Sequence, residues 1–406
     1  MTSLLSGPSP RDGMESLADH TRRLGRRPSG GADLVDTLGR ADLRGRGGAG
    51  FPSATKWRSV GSQDRGAPVV LVNGAEGEPL SFKDRVLMES RPHLVLDGAA
   101  LAAEAVGAGE VVLYVGEAHT AARSALRRAL ADRPVHEQRR TRLVAAPPRY
   151  VAGEETAAVH CVNDGVALPM TTPPRPYERG VGGRPTLVQN VETLAHAAMI
   201  ARFGDGWFRS LGATAPGTVL LTLSGAVAAP GVVEVAHGTT VARAVELAGG
   251  LTTAVRAVLL GGYFGSWVDA PTAETMALDS GALRAAGLTL GCGIVAVLPG
   301  DRCGVVETAR ILSHLADESA RQCGPCVFGL RAIAQAVERV ATLTAEPGDL
   351  ERIARWGNQL RGRGACGHPD GAAGLLQTAL GVFADEFRQH EDHHRCTSPP
   401  VEADAA

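Results

Sequence analysis

Val69-Val-Leu-Val-Asn-Gly-Ala-Glu-Gly-Glu-Pro-Leu-Ser-Phe-Lys-Asp-Arg85 is the stretch on which the fold turns. It opens with four consecutive apolar residues and breaks at Asn73-Gly74 into a polar loop. A short unbroken apolar run bounded by a turn signal reads as a strand buried on both faces. Downstream, Leu87 to Val106 reads as a helix rich in Ala and Leu. Val111-Val-Leu-Tyr-Val115 reads as a second strand, and Ala118 to Ala131 as a second helix with Arg on its outer face. Strand, helix, strand, helix at this spacing predicts an α/β unit with a largely parallel sheet. The polar loop then lies at a strand's carboxyl end, where open α/β sheets bind ligands. Asn73, Glu76 and Glu78 offer an amide and two carboxylates to a planar, hydrogen-bonding ligand there.

Upstream stands Leu43-Arg-Gly-Arg-Gly-Gly-Ala-Gly-Phe-Pro-Ser-Ala-Thr-Lys-Trp57. Glycines 45, 47, 48 and 50 leave the backbone bare. Successive N–H groups before a helix start suit phosphate oxygens, and Lys56 is placed to reach them. Lys56 and Lys83 are the only lysines in the chain, against 39 arginines. Each is therefore a candidate for a site that needs a compact ammonium. Downstream, Tyr150-Val-Ala-Gly-Glu-Glu-Thr-Ala157 sets an aromatic, a glycine and the carboxylates of Glu154 and Glu155 at a helix start. Arg184-Pro-Thr-Leu-Val-Gln-Asn-Val-Glu-Thr193 supplies Gln189, Asn190 and Thr193. Among seven cysteines, Cys323-Gly-Pro-Cys326 and Cys366 are weighed as one set. An odd count without a signal sequence argues against a disulfide framework.

The remainder divides by pattern. Residues 1–30 read as a disordered leader and 31–210 as the α/β domain. Residues 211–298 read as a small β-rich domain with a return strand, Ile294-Val-Ala-Val-Leu298. Residues 299–388 read as a helix bundle, with helices Val305–Leu315, Gly329–Thr342, Leu350–Leu360 and Gly371–Glu386. Residues 389–406 read as a disordered tail. Its His390, His393, His394 and Cys396 can bind metal, but a terminal His run is more often solvated. The 406 residues carry a net charge of −2, with 44% hydrophobic and 21% charged residues. That composition fits a globular protein and gives no footprint for nucleic acid. No apolar run approaches the length of a membrane span. The expected location is cytoplasmic, or peripheral on a membrane complex without direct insertion.

These segments, in this order, resemble the flavin- and NADH-binding F-type subunit of respiratory complex I. That family extends to bidirectional hydrogenases and NAD-linked formate dehydrogenases. The resemblance covers residues 32–388. It implies an FMN-binding α/β domain, a ubiquitin-like β-grasp domain of the soluble-ligand-binding type, and a helix bundle holding an iron–sulfur cluster. By position it implies FMN contacts from Gly45, Arg46, Gly47, Gly48, Lys56, Asn73, Glu76, Tyr150, Gly153, Glu154, Asn190 and Thr193. It makes Glu78 and Glu155 catalytic carboxylates and adds Phe51 and Arg175 to them as NAD(P)H contacts. Cys323, Cys326 and Cys366 become metal ligands, and ferredoxin-like or complex I-type electron-transfer subunits become partners.

Four positions depart from the family pattern. Ala320 stands where the first cluster cysteine belongs, so a four-iron cluster lacks one thiolate. A three-iron cluster, a non-cysteine fourth ligand or no cluster are the alternatives. His368 is the nearest replacement, with a structural histidine as the commoner reading. Arg175 and Ser59 replace aromatics of the nucleotide cleft, leaving Phe51. Ala75 replaces an acidic residue, and Gln189 replaces an Asn. The function implied is electron transfer from NAD(P)H through FMN to an iron–sulfur centre and on to a protein or quinone acceptor. The alternative is a flavin and iron–sulfur relay without dehydrogenase activity.

Overall fold

The computed structural model describes residues 3–9 and 13–398. The chain forms two compact units, Met1–Leu221 with Glu234–Thr239, and Thr222–Val233 with Thr240–Ala406.

The first unit runs α1 (Leu17–Leu24), α2 (Ala32–Arg40), α3 (Ser53–Gly61), β1 (Val69–Gly74), α4 (Lys83–Ser90), α5 (Pro92–Val106), β2 (Glu110–Gly116), α6 (Thr120–Ala131), α7 (Val135–Arg140), β3 (Thr141–Ala146), α8 (Glu155–Asp164), β4 (Thr186–Asn190) and α9 (Val191–Ser210). Its four strands lie in the order β3-β2-β1-β4, and all pairs are parallel. The chain leaves β1 toward β2 and β3, then returns to β4 on β1's other flank. The crevice beyond the carboxyl ends of β1 and β4 is thus a topological switch point. Asn73 and Asn190 face each other in register there.

Two expectations are corrected in this unit. The helix expected over Leu87–Val106 is two helices. Pro92 takes the first position of α5, where its missing N–H is tolerated, and Arg91 turns between them. The expected leader contains α1, capped by the Ser16 side chain. His20 and Leu24, one turn apart, are buried from it, and His20 Nε2 lies 2.8 Å from Asp97 of α5. A single buried pair on a short helix leaves little compositional trace. Close packing then positions the site. A Cβ on Gly98 of α5 would lie 2.1 Å from the Leu194 carbonyl oxygen of α9. Only a glycine lets α9 approach this closely, which fixes Asn190 and Thr193 at its start.

The second unit contains the end of β5 (Thr218–Gly225), the start of β6 (Gly231–Ala236), α10 (Val241–Leu247), β7 (Val255–Leu260), β8 (Ser266–Asp269), α11 (Ala270–Thr275), α12 (Ser280–Ala285), β9 (Ile294–Pro299), α13 (Gly304–Asp317), α14 (Arg331–Ala341), α15 (Asp349–Leu360), α16 (His368–Val382) and α17 (Ala384–His393). Its mixed sheet has the order β6-β5-β9-β7-β8; β9 is parallel to β5, and β7 is antiparallel to both β9 and β8. The helices pack directly on this sheet. Trp267 of β8 donates its backbone N–H to Thr378 Oγ1 of α16 at 3.0 Å, and its ring meets Phe383 edge-on at 5.2 Å. The β-rich and helical segments therefore share one compact unit.

The helix expected over Gly371–Glu386 divides at Phe383, whose buried ring packs against Gly304. The tail expected from residue 389 is also corrected, because α17 continues to His393 and His390 is buried.

Candidate functional site

The Gly-rich loop folds back on itself through Gly45 N–H to the Phe51 carbonyl (2.9 Å) and Ser53 N–H to the Leu43 carbonyl (2.9 Å). Gly48 and Gly50 sit at φ 105° and 62°, which favour glycine. The Arg46 N–H donates to Thr193 Oγ1 at 2.8 Å, and a Cβ on Gly47 would lie 3.4 Å from Asn190 Cβ. The loop is thereby held over the first turn of α9. Asn190 caps that helix by accepting from Glu192 N–H at 3.0 Å and donates to Asp84 at 2.7 Å. Among the described residues, the N–H groups of Gly47, Gly48 and Gly50 have no protein acceptor. Bare amides beside a helix N-terminus fit a phosphate. The Arg46 side chain is buried and donates to the Thr218 carbonyl at 3.0 Å, so it anchors the loop from behind.

Across the crevice, Asn73 Nδ2 donates to the Gly153 carbonyl at 2.8 Å. Gly77 permits a tight approach, since a Cβ there would lie 2.8 Å from the carbonyl oxygens of Arg149 and Tyr150. Glu78 is buried and accepts from the Tyr150 hydroxyl at 2.7 Å. Glu76, at φ 44°, accepts from Ser81 Oγ (2.7 Å), the N–H groups of Asp84 (2.9 Å) and Arg85 (3.0 Å), and Arg85 Nε (3.1 Å). It closes the start of α4. Glu154 caps α8 by accepting from Thr156 and Ala157 N–H, both at 2.9 Å. Of the four nominated glutamates, Glu76 and Glu154 hold helix ends. Glu78 and Glu155 hold no helix end with their side chains: Glu78 pairs with the Tyr150 hydroxyl and Glu155 with Lys56.

Lys56 does not stand free above the glycine loop. Its Nζ lies 2.9 Å from Glu155 Oε2, and Arg175 lies 3.7 Å from Oε1. These three charges form a half-exposed row at the start of α8. Phe51 is 52% exposed at the end of the loop, so its ring is available to a stacking partner. Ser59 Oγ donates back to the Thr55 carbonyl at 2.9 Å and offers no such face.

Beneath the site lies a buried ion cluster whose acidic members carry no signal in the sequence. Lys83 Nζ is 2.7 Å from Asp84 and 2.8 Å from Glu192. Burial alone would lower the lysine's pKa, but the two carboxylates raise it above its usual value. Burial also works to raise the Glu192 carboxyl, yet Lys83, His196 and Arg46 hold it down at about 2. Trp57 Nε1 donates to Gln189 Oε1 at 3.3 Å, tying α3 to the end of β4. The rarity of lysine is the one local signal for this cluster.

In the second unit the loop after α13 carries Ser319, Ala320 and Cys323. A π-helical turn, Pro325–Leu330, follows, and Cys366 precedes α16. The three thiols converge. Burial pushes Cys326 up to about 12, with Cys323 and Cys366 adding to the shift. Cys326 is buried and Cys323 and Cys366 are partly exposed; grouped thiols of this kind suit a thiophilic cation or cluster, which they would bind on losing their protons. Ser319 Oγ beside Ala320 is buried with no hydrogen-bond partner among the described residues. His368, by contrast, opens α16 with Nε2 2.7 Å from the Leu315 carbonyl oxygen and its ring edge-on to Phe264. That engagement favours a structural role.

Three family models match the chain. The Nuo51 FMN-binding domain covers residues 38–199, the SLBB domain 220–262, and the NADH-ubiquinone oxidoreductase-F iron-sulfur binding region 307–390. The second F-type NADH-quinone oxidoreductase subunit of Rhizobium meliloti (strain 1021) is 34% identical over 90% of this chain and 90% of its own length. The NADP-reducing hydrogenase subunit HndC of Solidesulfovibrio fructosivorans is 28% identical over 90% of this chain and 77% of its own. A crystal structure of NAD+-reducing [NiFe]-hydrogenase in the air-oxidised state superposes with a TM-score of 0.82 at 30% identity, over 96% of this chain and 67% of that one. The FMN-binding match spans the glycine loop and the switch-point crevice, and the iron–sulfur match spans the three converging cysteines. The chain belongs to the family of the F-type subunits of NADH-quinone oxidoreductase, NADH dehydrogenase-type flavoproteins with an iron–sulfur region.

Proposed function

We propose that this chain takes electrons from NAD(P)H through FMN to an iron–sulfur centre on Cys323, Cys326 and Cys366, and passes them to a partner subunit. The observation that carries this reading is the switch-point crevice. In support of it, the bare-amide loop is bonded to Thr193 near Asn190, Asn190 is in register with Asn73, Asn73 bonds Gly153 beside the Tyr150–Glu78 pair, and the Lys56–Glu155–Arg175 row follows directly in the chain. Bound FMN supplies the conversion between two-electron and one-electron chemistry. The loop amides and the start of α9 would hold its phosphate, and Asn73 with the Gly153 turn would flank its ring. Glu155, steadied by two cations, would orient the nucleotide. Residues 31–210, 211–298 and 299–388 are the proposed extents of the flavin, β-grasp and cluster regions. The acceptor side is read as an electron-transfer subunit of the complex I or hydrogenase kind. No helix of the described residues is long and apolar enough to cross a membrane.

Arg175 in place of an aromatic favours a nucleotide bearing a 2′-phosphate. Replacing Arg175 by tyrosine is expected to improve NADH binding roughly two- to tenfold, the range of one stacking contact, and to weaken NADPH binding. Anaerobic stopped-flow bleaching of the FMN-loaded protein with each nucleotide measures both. Fast, tight reduction by NADH alone, unchanged in R175Y, would contradict this part of the reading. FMN binding without bleaching by either nucleotide would instead support a relay without dehydrogenase activity.

A further inference from the structure

His390 belongs to the tract His390-Glu-Asp-His-His-Arg-Cys396, yet its side chain is buried on α17. Its Nδ1 lies 3.0 Å from the Val340 carbonyl oxygen of α14. A carbonyl only accepts, so Nδ1 carries the proton and Nε2 presents its lone pair. Nε2 faces the Sγ of Cys303 at 3.5 Å. Cys303 is buried at the N-cap of α13. His394 ends α17 at φ 47°, and the Arg395 N–H returns to the Gln389 carbonyl at 3.3 Å. This reversal brings Cys396 back over the helix. The donor atoms of Cys303, His390 and Cys396 all lie within 4.8 Å of one another.

We propose that Cys303, His390 and Cys396 form a Zn2+ site of two thiolates and one imidazole. The spacing fits the ion. A sulfur about 2.3 Å and a nitrogen about 2.0 Å from tetrahedral zinc stand about 3.5 Å apart, as Cys303 and His390 do. The Val340 carbonyl is the outer partner that fixes the tautomer and orientation of a ligating histidine. Two thiolates neutralise the dication, so Cys303 and His390 can hold it in their buried setting without net charge. In the free protein, burial pushes the Cys303 thiol up to about 12, with Cys396 and Glu386 adding to it. Zinc binding therefore displaces two thiol protons to solvent and forms two Zn–S bonds and one Zn–N bond, with no change of oxidation state. The described residues supply three donors, and water completes the tetrahedron.

The site is separate from the cluster cysteines. Cys303 caps the start of α13, and position 320 follows its end; the fourteen-residue helix places its two ends about 21 Å apart. Cys396 therefore cannot replace the thiolate missing at Ala320. Zinc would instead fasten the chain's C-terminal segment to the start of α13 and to α14.

The test uses the full-length, iron-loaded protein, treated with chelator and then given Zn2+ alone. Wild type and Cys323→Ala are each expected to retain about one zinc per chain. Cys396→Ala and His390→Ala are expected to bind it at least about a hundredfold more weakly. Cys396 is partly exposed, so C396A preserves the fold, checked by flavin retention. X-ray absorption at the zinc edge should show two sulfur ligands and one imidazole. Three results would overturn the proposal: no zinc uptake by wild type, equal uptake by C396A and H390A, or a Cys303–Cys396 disulfide whose reduction leaves a protein that still takes up no zinc.

Discussion

Replacing Lys83 by methionine is expected to cost the folded state about 3–5 kcal/mol at neutral pH, the range for breaking a buried ion pair. The ammonium lies within hydrogen-bonding distance of Asp84 and Glu192, and Glu192 is fully buried. Methionine fills similar space and leaves two carboxylates facing each other. Arg46 at 3.9 Å and His196 at 3.7 Å remain beside Glu192, so the cluster is weakened and not emptied of positive charge. The pH dependence follows from the sign of the shift. Burial raises the Asp84 carboxyl to about 7 against the pull of Lys83, while the Glu192 carboxyl falls from 4.5 to about 2 on folding. Its stabilisation is fully present above the unfolded value and is lost as pH falls through about 2. The gap between wild type and K83M should therefore be widest near pH 7 and narrow below about pH 4, where the carboxyls of the variant are protonated. Flavin retention should fall with it, because Asp84 also holds Asn190. Urea unfolding at several pH values measures the gap. A difference under about 1 kcal/mol at pH 7, the scale of an exposed pair, would contradict the role given to this cluster.

Cys326→Ala is expected to abolish iron binding, and Ala320→Cys to raise iron toward the four of a cubane. Cys326 is the most buried of the three thiols, and the other two converge on it. Removing it leaves Cys323 and Cys366, a pair too sparse to hold a cluster. Ala320 offers no ligand, so wild type should hold its cluster with one corner open and lose iron readily in air. A cysteine at 320 closes that corner. His368→Ala should leave iron content unchanged, because its Nε2 is engaged with the Leu315 carbonyl. Anaerobic Mössbauer spectra with iron analysis decide among these. A stable four-iron cluster in wild type that A320C does not alter would mean that another residue fills the position.

The parts of this molecule legible in its sequence are those with local causes. Val69–Val72 and Val111–Val115 stand out as strands because both faces are buried, which makes them continuously apolar. β3 and β4 escape that test. Thr141-Arg142 opens one, where side chains turn toward solvent, and Gln189-Asn190 closes the other, where Gln189 turns inward to Trp57. The glycine loop, Asn73 and Glu155 stand out as candidates for local reasons: bare glycines precede a helix start, an amide ends a buried strand, and a carboxylate opens a helix. The division of labour among the glutamates is not. A carboxylate at a helix start reads the same whether it caps the helix, as Glu76 and Glu154 do, or faces a ligand. Lys83 and Glu192 meet only through the tertiary fold, and no local pattern joins them. His390 is hidden by its neighbours, since a histidine-rich terminus looks solvated until α17 buries one face of it.

Anaerobic rapid mixing of the FMN- and iron-loaded protein with excess NADH or NADPH reads the electron path from nucleotide to flavin to cluster in one experiment. Flavin absorbance and freeze-quenched EPR are followed together in wild type and Cys326→Ala. Flavin absorbance is expected to bleach in both proteins, with a reduced-cluster signal following in wild type alone. A loaded wild-type protein whose flavin stays oxidised with both nucleotides, or a cluster signal that survives in C326A, would contradict the claim.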